Sequence, residues 1–334
     1  MKIAVVGCGA VGSYYGAMLA RSGHEVHFLL RSDYEAVRRH GVRIESPQGD
    51  FNVRPQCARA PEEIGPSQLV LVGLKTTANS RFSALLPPLA DANTAVLTLQ
   101  NGLGNEEELE RLLPARQIMG GLCFVCLNRI SPGVIRHLDH GQVVLGEFRR
   151  WPETRTHDIA SAFRDAGVPC KVTDNLERAH WEKLVWNIPF NGLGVASAAG
   201  LDALLFGKTQ SEAATSVNEP LQTCLTTDAL LGDERWERVV RELMQEVITA
   251  AAAQGFRIES GFAGELIERT RTMGAYKAST ILDFEKGLPL EMETLFLEPL
   301  RRAQKAGVRV PRMQALAGVL LELDRRRQLN RASK

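Results

Sequence analysis

This sequence has no surplus of charge of one sign, no long apolar run and few cysteines. Its 334 residues carry 40 Lys+Arg against 39 Asp+Glu, a net charge of +1. So balanced a chain presents no broad basic field, which argues against sequence-independent nucleic-acid binding. No apolar run approaches the roughly 20 residues that span a bilayer, so no membrane partner is expected. Ile3 to Val6 runs straight into glycines without a cleavage-type flank, unlike a signal peptide. The six cysteines (Cys8, Cys57, Cys123, Cys126, Cys170, Cys224) are scattered, as suits a reducing compartment, and a cytoplasmic location is expected. Cys123 and Cys126 stand alone as a Cys-x-x-Cys in an apolar strand-like run. An offset of three puts them on opposite strand faces, and with no second pair they make a poor zinc site. Buried structural thiols, and no metal, are expected.

The rest is the composition of an ordinary globular protein, 44% hydrophobic and 24% charged, long enough for two domains at roughly 100–200 residues each. Lys2–Val6, His24–Leu30, Gln68–Leu74 and Thr94–Leu99 read as strands. A helical pattern covers about Val11 to Ser22, and another ends near Pro87-Pro88. Strands alternating with helices imply a parallel sheet covered on both faces. Between about Ile118 and Glu147 the β-runs are broken by Ser131-Pro-Gly133 and His140-Gly141, the pattern of antiparallel strands extending the sheet. Beyond Asp174 the pattern turns helical, for example over Glu237–Gln254 and Thr294–Ala306. The expected boundary lies in Lys171–Asn175, giving units over 1–173 and 174–334.

Gly7-Cys-Gly9-Ala-Val-Gly12 is a G-x-G-x-x-G that leaves a strand and opens a helix, with a second strand ending about 20 residues on. Gly7 permits the tight turn, Gly9 lets backbone approach a pyrophosphate, and Gly12 allows close helix–strand contact. With Cys8, Ala10 and Val11 between them, these residues form a candidate dinucleotide loop whose helix N–H groups face the anion. The fold class expected is α/β: a Rossmann-type doubly wound sheet with an antiparallel extension, followed by an all-α domain. Where NAD sites usually place a carboxylate after the second strand, this chain has Leu30-Arg31-Ser32. Arg31 would pair with a 2′-phosphate that a carboxylate would repel, so NADP(H) is the expected cofactor. Ligands of open parallel sheets sit beyond the carboxyl ends of the strands. Lys75 and Asn101 each follow a strand directly, and both are expected at the glycine-loop edge.

In the second half, Lys183, Asn187 and Asn191 recur at steps of four between Trp181 and Asn191, beside Trp186 and Phe190. On a helix they share one face, and Pro189 predicts a kink nearby. A partly desolvated lysine in such a setting serves as a proton donor; an exposed lysine with two capping or solvated asparagines is the competing reading. Downstream, Ser279 precedes a glycine–proline turn and the carboxylates Glu291 and Glu293, which by themselves read as helix-dipole compensators.

Taken together, these motifs resemble the ketopantoate reductase (2-dehydropantoate 2-reductase) family over nearly the whole chain. The resemblance rests on Lys2-Ile through Gly12, Leu30-Arg31, Leu74-Lys75 and Gln100-Asn-Gly-Leu-Gly104. It continues with Trp-x-Lys-Leu-x-x-Asn-x-x-x-Asn at 181–191 and with Ser279 and Glu291 twelve positions apart. It implies an NADPH-dependent reduction of a 2-keto acid, ketopantoate to pantoate, in pantothenate biosynthesis. Lys183 would be the general acid, and Glu291 would hold the substrate hydroxyl and orient the lysine. Asn101, Asn187 and Asn191 would hydrogen-bond substrate and Ser279 would bind its carboxylate. Arg31 and Lys75 would take the 2′-phosphate end.

The chain departs from the family pattern in three places. Gly287-Leu-Pro-Leu-Glu-Met-Glu293 replaces Gly-Arg-Pro-Thr-Glu-Ile-Asp, Phe296-Leu297 replaces Asn-Gly, and Asn191-Gly192 replaces Asn-Pro. These leave open a reductase of another 2-keto acid, or a non-catalytic NADP(H) sensor. Apolar helical segments late in the chain fit the domain core slightly better than a dimer face, and a monomer or a homodimer is expected.

Overall fold

A computed structural model of the protein describes residues 1–205 and 221–332; the rest of the expected helical half, 206–220 and 333–334, lies outside the described residues. The chain forms two compact units, Met1–Ala179 and His180–Lys334.

The first unit contains, in order, β1 (Lys2–Val6), α1 (Ala10–Arg21), β2 (Glu25–Leu29), α2 (Tyr34–His40), β3 (Val42–Glu45), β4 (Phe51–Val53) and β5 (Gln56–Ala58). It continues with β6 (Leu69–Val72), α3 (Phe82–Leu85), β7 (Ala95–Thr98), α4 (Asn105–Glu110), β8 (Ile118–Ser131), β9 (Val134–Glu147), α5 (Thr154–Asp165) and β10 (Cys170–Val172). The strands make one sheet in the order β4-β3-β9-β8-β7-β6-β1-β2-β5, with β10 added beside β9. β1 runs parallel to both β2 and β6, and β7 runs parallel to β6. The sheet is therefore doubly wound, as expected. β8 and β9 form the antiparallel extension, although β8 itself joins β7 in parallel.

Burial explains why these strands read as continuous apolar runs: parallel strands are covered on both faces. Successive side chains divide between two cores. Ile3, Val5, Leu69 and Leu71 pack with Tyr15 and Leu19 of α1 and Phe163 of α5. Ala4, Val6, Val70 and Val72 pack with Phe82, Leu86 and Leu89. The helical stretch expected before Pro87-Pro88 reduces to the four-residue α3 between 3₁₀ turns at Thr76–Arg81 and Pro87–Leu89. Strands β3, β4, β5 and β10 have only three or four residues, too few for a period to show.

Cys123 joins the core on the α1 side, while its neighbours Leu122 and Phe124 pack with Leu176 on the other face. All six cysteines are free. Burial pushes the Cys170 thiol up to about 12 and that of Cys224 up to about 11, so both stay protonated and unreactive.

The boundary between the units falls inside α6 (Leu176–Ala196). The second unit continues with α7 (Leu201–Leu205), α8 (Thr227–Gly232), α9 (Glu234–Ala253), α10 (Phe262–Arg271), α11 (Ser279–Glu285), α12 (Glu298–Lys305) and α13 (Pro311–Ala332). Its described residues contain no strand. α9 buries Trp236, Val239, Val240, Leu243, Met244 and Val247, the stripe of an amphipathic helix. Glu246, on α9, accepts the Arg312 and Met313 N–H groups at 2.9 and 2.8 Å and so caps α13. The helix expected over Thr294–Ala306 is a π-helical turn at Glu293–Leu297 followed by α12. No described helix is long and apolar enough to cross a membrane.

Candidate active site

The first unit carries a glycine-loop edge built from backbone. Val6, Val72 and Thr98 are aligned across β1, β6 and β7, so the segments that follow them emerge at one sheet edge. Gly7, Gly12 and Gly73 interlock there. A Cβ on Gly7 would lie 2.3 Å from the Leu74 nitrogen, and one on Gly12 would lie 2.3 Å from the Gly7 carbonyl oxygen. Gly7 also has φ +96°, in the left-handed region that glycine tolerates. Gly73 closes the set, since its Cβ would meet the Gly12 Cα at 2.9 Å. Sequence reasoning missed Gly73, which lies within a strand-like run.

Gly9 differs from these three. It has φ −76°, which any residue adopts, and a Cβ there would touch nothing within 4 Å. Neither conformation nor packing inside the protein requires glycine at this position. The open space lies at the start of α1, which has no side-chain cap and no acidic residue in its first turn. Such a helix end favours an anion, and a side chain at position 9 would occupy the approach. The loop thus fits the pyrophosphate of a dinucleotide. The Cys8 thiol turns inward, donating to the Val5 and Leu29 carbonyls at 3.6 and 3.5 Å. Burial raises its pKa, so Cys8 ties the loop to β2 and offers a ligand only its backbone.

A chain of side-chain amides links the next two loops. Gln100 Nε2 donates to the Leu74 carbonyl at 3.1 Å and to Asn79 Oδ1 at 2.7 Å. Asn79 Nδ2 donates to Asn105 Oδ1, and Asn105 Nδ2 to the Asn101 carbonyl, each at 3.1 Å. The loop carrying exposed Lys75 and the loop carrying half-buried Asn101 are therefore held together. Asn79, Gln100 and Asn105, which make these links, are residues that sequence reasoning overlooked. The clustering of amides just past two strand ends was the available signal.

Arg31 emerges after β2, beside β5, and is exposed. Among the described residues its guanidinium has no carboxylate partner. The nearby carboxylates are bound elsewhere: Asp33 to Arg129 and Glu35 to Arg59.

The second unit carries a face built from side chains. α6 continues through Pro189 to Ala196, although proline removes one helix hydrogen bond. Lys183, Asn187 and Asn191 lie one turn apart along it, Lys183 half-buried and both asparagines buried. Asn191 Nδ2 donates to Asn187 Oδ1 at 3.4 Å. Asn191 Oδ1 accepts the Thr280 N–H at 3.0 Å and the Ser279 hydroxyl at 3.3 Å. It thereby caps α11, whose own N-cap residue, Ala278, contributes no side-chain bond. Gly194 permits this approach, because a Cβ there would meet Ile281 at 2.3 Å. Trp186 anchors α6 through its indole N–H, 2.9 Å from Thr270 Oγ1, and its ring lies 5.0 Å from that of Phe190.

The two downstream glutamates behave differently. Glu293 is exposed and pairs with Arg301, as a dipole-compensating surface residue does. Glu291 is only 5% exposed, and a buried carboxylate needs a specific partner or a function.

Comparison with known proteins gives a chain carrying both a glycine-loop edge and this α6 side-chain face a family. The family model described as "Ketopantoate reductase PanE/ApbA" matches residues 3–150, and its C-terminal counterpart matches residues 213–324. The chain belongs to the ketopantoate reductase family. It is 38% identical to the 2-dehydropantoate 2-reductase of Nostoc sp., covering 97% of this chain and 96% of that protein. The crystal structure of 2-dehydropantoate 2-reductase from Geobacter metallireducens is similar at a TM-score of 0.85 and 46% identity, covering 96% of this chain and 99% of that one. The Methylococcus capsulatus enzyme matches at a TM-score of 0.84 and 31% identity, covering 98% of each chain. This ketopantoate reductase family member is therefore an oxidoreductase, with the mixed α/β and helical architecture of its relatives.

Proposed function

We propose that the protein reduces ketopantoate to pantoate with NADPH, in the cytoplasm. The observation that carries this reading is the single face of α6 on which Lys183, Asn187 and Asn191 stand, tied by Asn191 to Ser279. Burying polar groups is costly unless they are hydrogen-bonded; Asn191 caps α11, and the face it shares with Lys183 and Asn187 suits a polar ligand.

NADPH, when bound, supplies the hydride that adds to the ketone carbon. The glycine loop of Gly7, Cys8, Gly9, Ala10, Val11 and Gly12 would hold its pyrophosphate, and Arg31 with Lys75 its 2′-phosphate. Lys183 faces the ketone oxygen as an ammonium. It stabilises the alkoxide that hydride addition creates and then gives that oxygen a proton. Glu291 accepts the substrate hydroxyl and orients Lys183. Ser279 binds the substrate carboxylate, while Asn187 and Asn101 fix its remaining oxygens. Both lone pairs of the Asn191 amide oxygen are occupied by α11, so Asn191 meets substrate through its remaining N–H and chiefly fixes Ser279. The six free thiols suit the reducing cytoplasm.

The test follows NADPH consumption by the purified protein across a panel of 2-keto acids. Turnover should be fastest with ketopantoate and faster with NADPH than with NADH. No turnover with any member of the panel would overturn the reading.

A further inference from the structure

The segment after β2 contains a carboxylate that should obstruct a 2′-phosphate. Asp33 lies two residues beyond Arg31, and a free aspartate there would pair with Arg31, repel a phosphate, or accept ribose hydroxyls as the acidic residue of an NAD site does. The structure leaves it none of these roles. Asp33 occupies the N-cap position of α2 yet makes no side-chain bond to that helix, the ordinary use of aspartate there. Its carboxylate turns instead to Arg129, 96 residues away near the tip of the β8–β9 hairpin. Arg129 Nε donates to Oδ2 at 3.1 Å and Nη2 to Oδ1 at 2.5 Å. The Ser32 hydroxyl adds a bond to Oδ1 at 2.9 Å, and the Gly133 N–H contributes another. Only 7% of the Asp33 side chain is exposed.

The next carboxylate is treated alike. Glu35 is taken by Arg59 at 2.5 Å, and the Arg59 guanidinium lies 4.0 Å above the Tyr34 ring. Two arginines near this strand end, Arg129 and Arg59, are committed to carboxylates, and Arg31 is left for a ligand.

We propose that Arg129 is a specificity-determining residue for the cofactor: by holding Asp33, it keeps Arg31 available to a 2′-phosphate and denies ribose hydroxyls a carboxylate acceptor. The proposal rests on the reading above that Arg31 takes the 2′-phosphate of NADPH. Arg129 acts through Asp33 and does not itself touch the cofactor, so removing Asp33 should make Arg129 dispensable for phosphate discrimination.

Calorimetric titration with 2′,5′-ADP and 5′-AMP, which differ by that phosphate alone, tests this without turnover. R129M should weaken 2′,5′-ADP by about tenfold, a loss of about 1.4 kcal/mol, and leave 5′-AMP unchanged or tighter. D33N should bind both much as the wild type does, and R129M/D33N should regain most of the lost 2′,5′-ADP affinity. Equal weakening of both ligands by R129M, or a double variant as weak as R129M, would overturn the proposal. Should R129M not fold, R129K and R129K/D33N carry the same comparison, since lysine keeps the charge without the two-pronged grip. A wild type that binds 2′,5′-ADP no better than 5′-AMP would instead sink the assignment of the 2′-phosphate to Arg31.

Discussion

The two units of this protein build their functional surfaces in opposite ways. At the glycine-loop edge the essential features are absences of side chain: three glycines interlock, and a fourth leaves space that no described residue fills. Along α6 the essential features are side chains, held by hydrogen bonds that reach far along the chain, as where the Ser279 hydroxyl donates to Asn191 across 88 residues. A surface made of backbone depends on local conformation, so substitution disturbs folding or anion approach. A surface made of side chains on a helix tolerates substitution in its fold and loses chemistry instead. That difference is open to direct test.

The largest effect belongs to the α6 face. Lys183→Ala should lower kcat by at least about 10²-fold, the scale of a lost general acid, with a circular dichroism spectrum unchanged from wild type. An unaltered kcat would remove Lys183 from the chemistry. Next come two glycines of one motif that should part company. Gly7→Ala meets both a left-handed φ and a 2.3 Å overlap with backbone, and should cost roughly 2–4 kcal/mol in denaturant unfolding. Gly9→Ala should leave the unfolding midpoint unchanged while weakening NADPH binding about tenfold or more, a loss near 1.4 kcal/mol. If both variants lose stability equally, the open space at Gly9 has no ligand meaning.

Asn191→Ala tests whether the α6 face is purely chemical. It removes the cap of α11 and should cost about 1–2 kcal/mol of stability, together with a raised KM for the keto acid because Ser279 is released. A stability loss without any change in KM would make Asn191 a structural residue only.

The smallest effect concerns pH. Burial pushes the Asp33 carboxyl up, but Arg129 and Ser32 outweigh it and hold its pKa below the usual aspartate value. An unfolded aspartate titrates near about 3.9. The pair therefore stabilises the fold fully above that pH, and its contribution is lost as pH falls through the lower folded value. Asp33→Asn should unfold less steeply on acidification in this range, as measured by thermal melts along a pH series. An identical acid limb would show that Asp33 titrates alike in both states.

Legibility followed the same division. The strand–Gly7-x-Gly9-x-x-Gly12–helix signal was readable because its spacing is fixed by one turn of chain, and the buried runs of β1, β6 and β7 were readable because both faces are covered. The β8–β9 hairpin was visible in its Ser131-Pro-Gly133 break. Gly73 and Arg129 were not, since each matters through a partner that no local pattern names. Lys183, Asn187 and Asn191 were legible as a helical face, but their link to Ser279 came only from the family resemblance. Glu291 and Glu293 looked equivalent by residue pattern; the resemblance singled out Glu291, and burial sets the two apart in the structure.

By itself, then, the sequence determined the alternating architecture, the glycine loop and the polar stripe of α6, all of which depend on interactions within a few residues. Tertiary structure decided which charges are available. Among the described residues Arg31 keeps no carboxylate partner, because Arg129 on β8 and Arg59 just past β5 take Asp33 and Glu35. Ion pairing depends on distance in space, and sequence separation does not encode it.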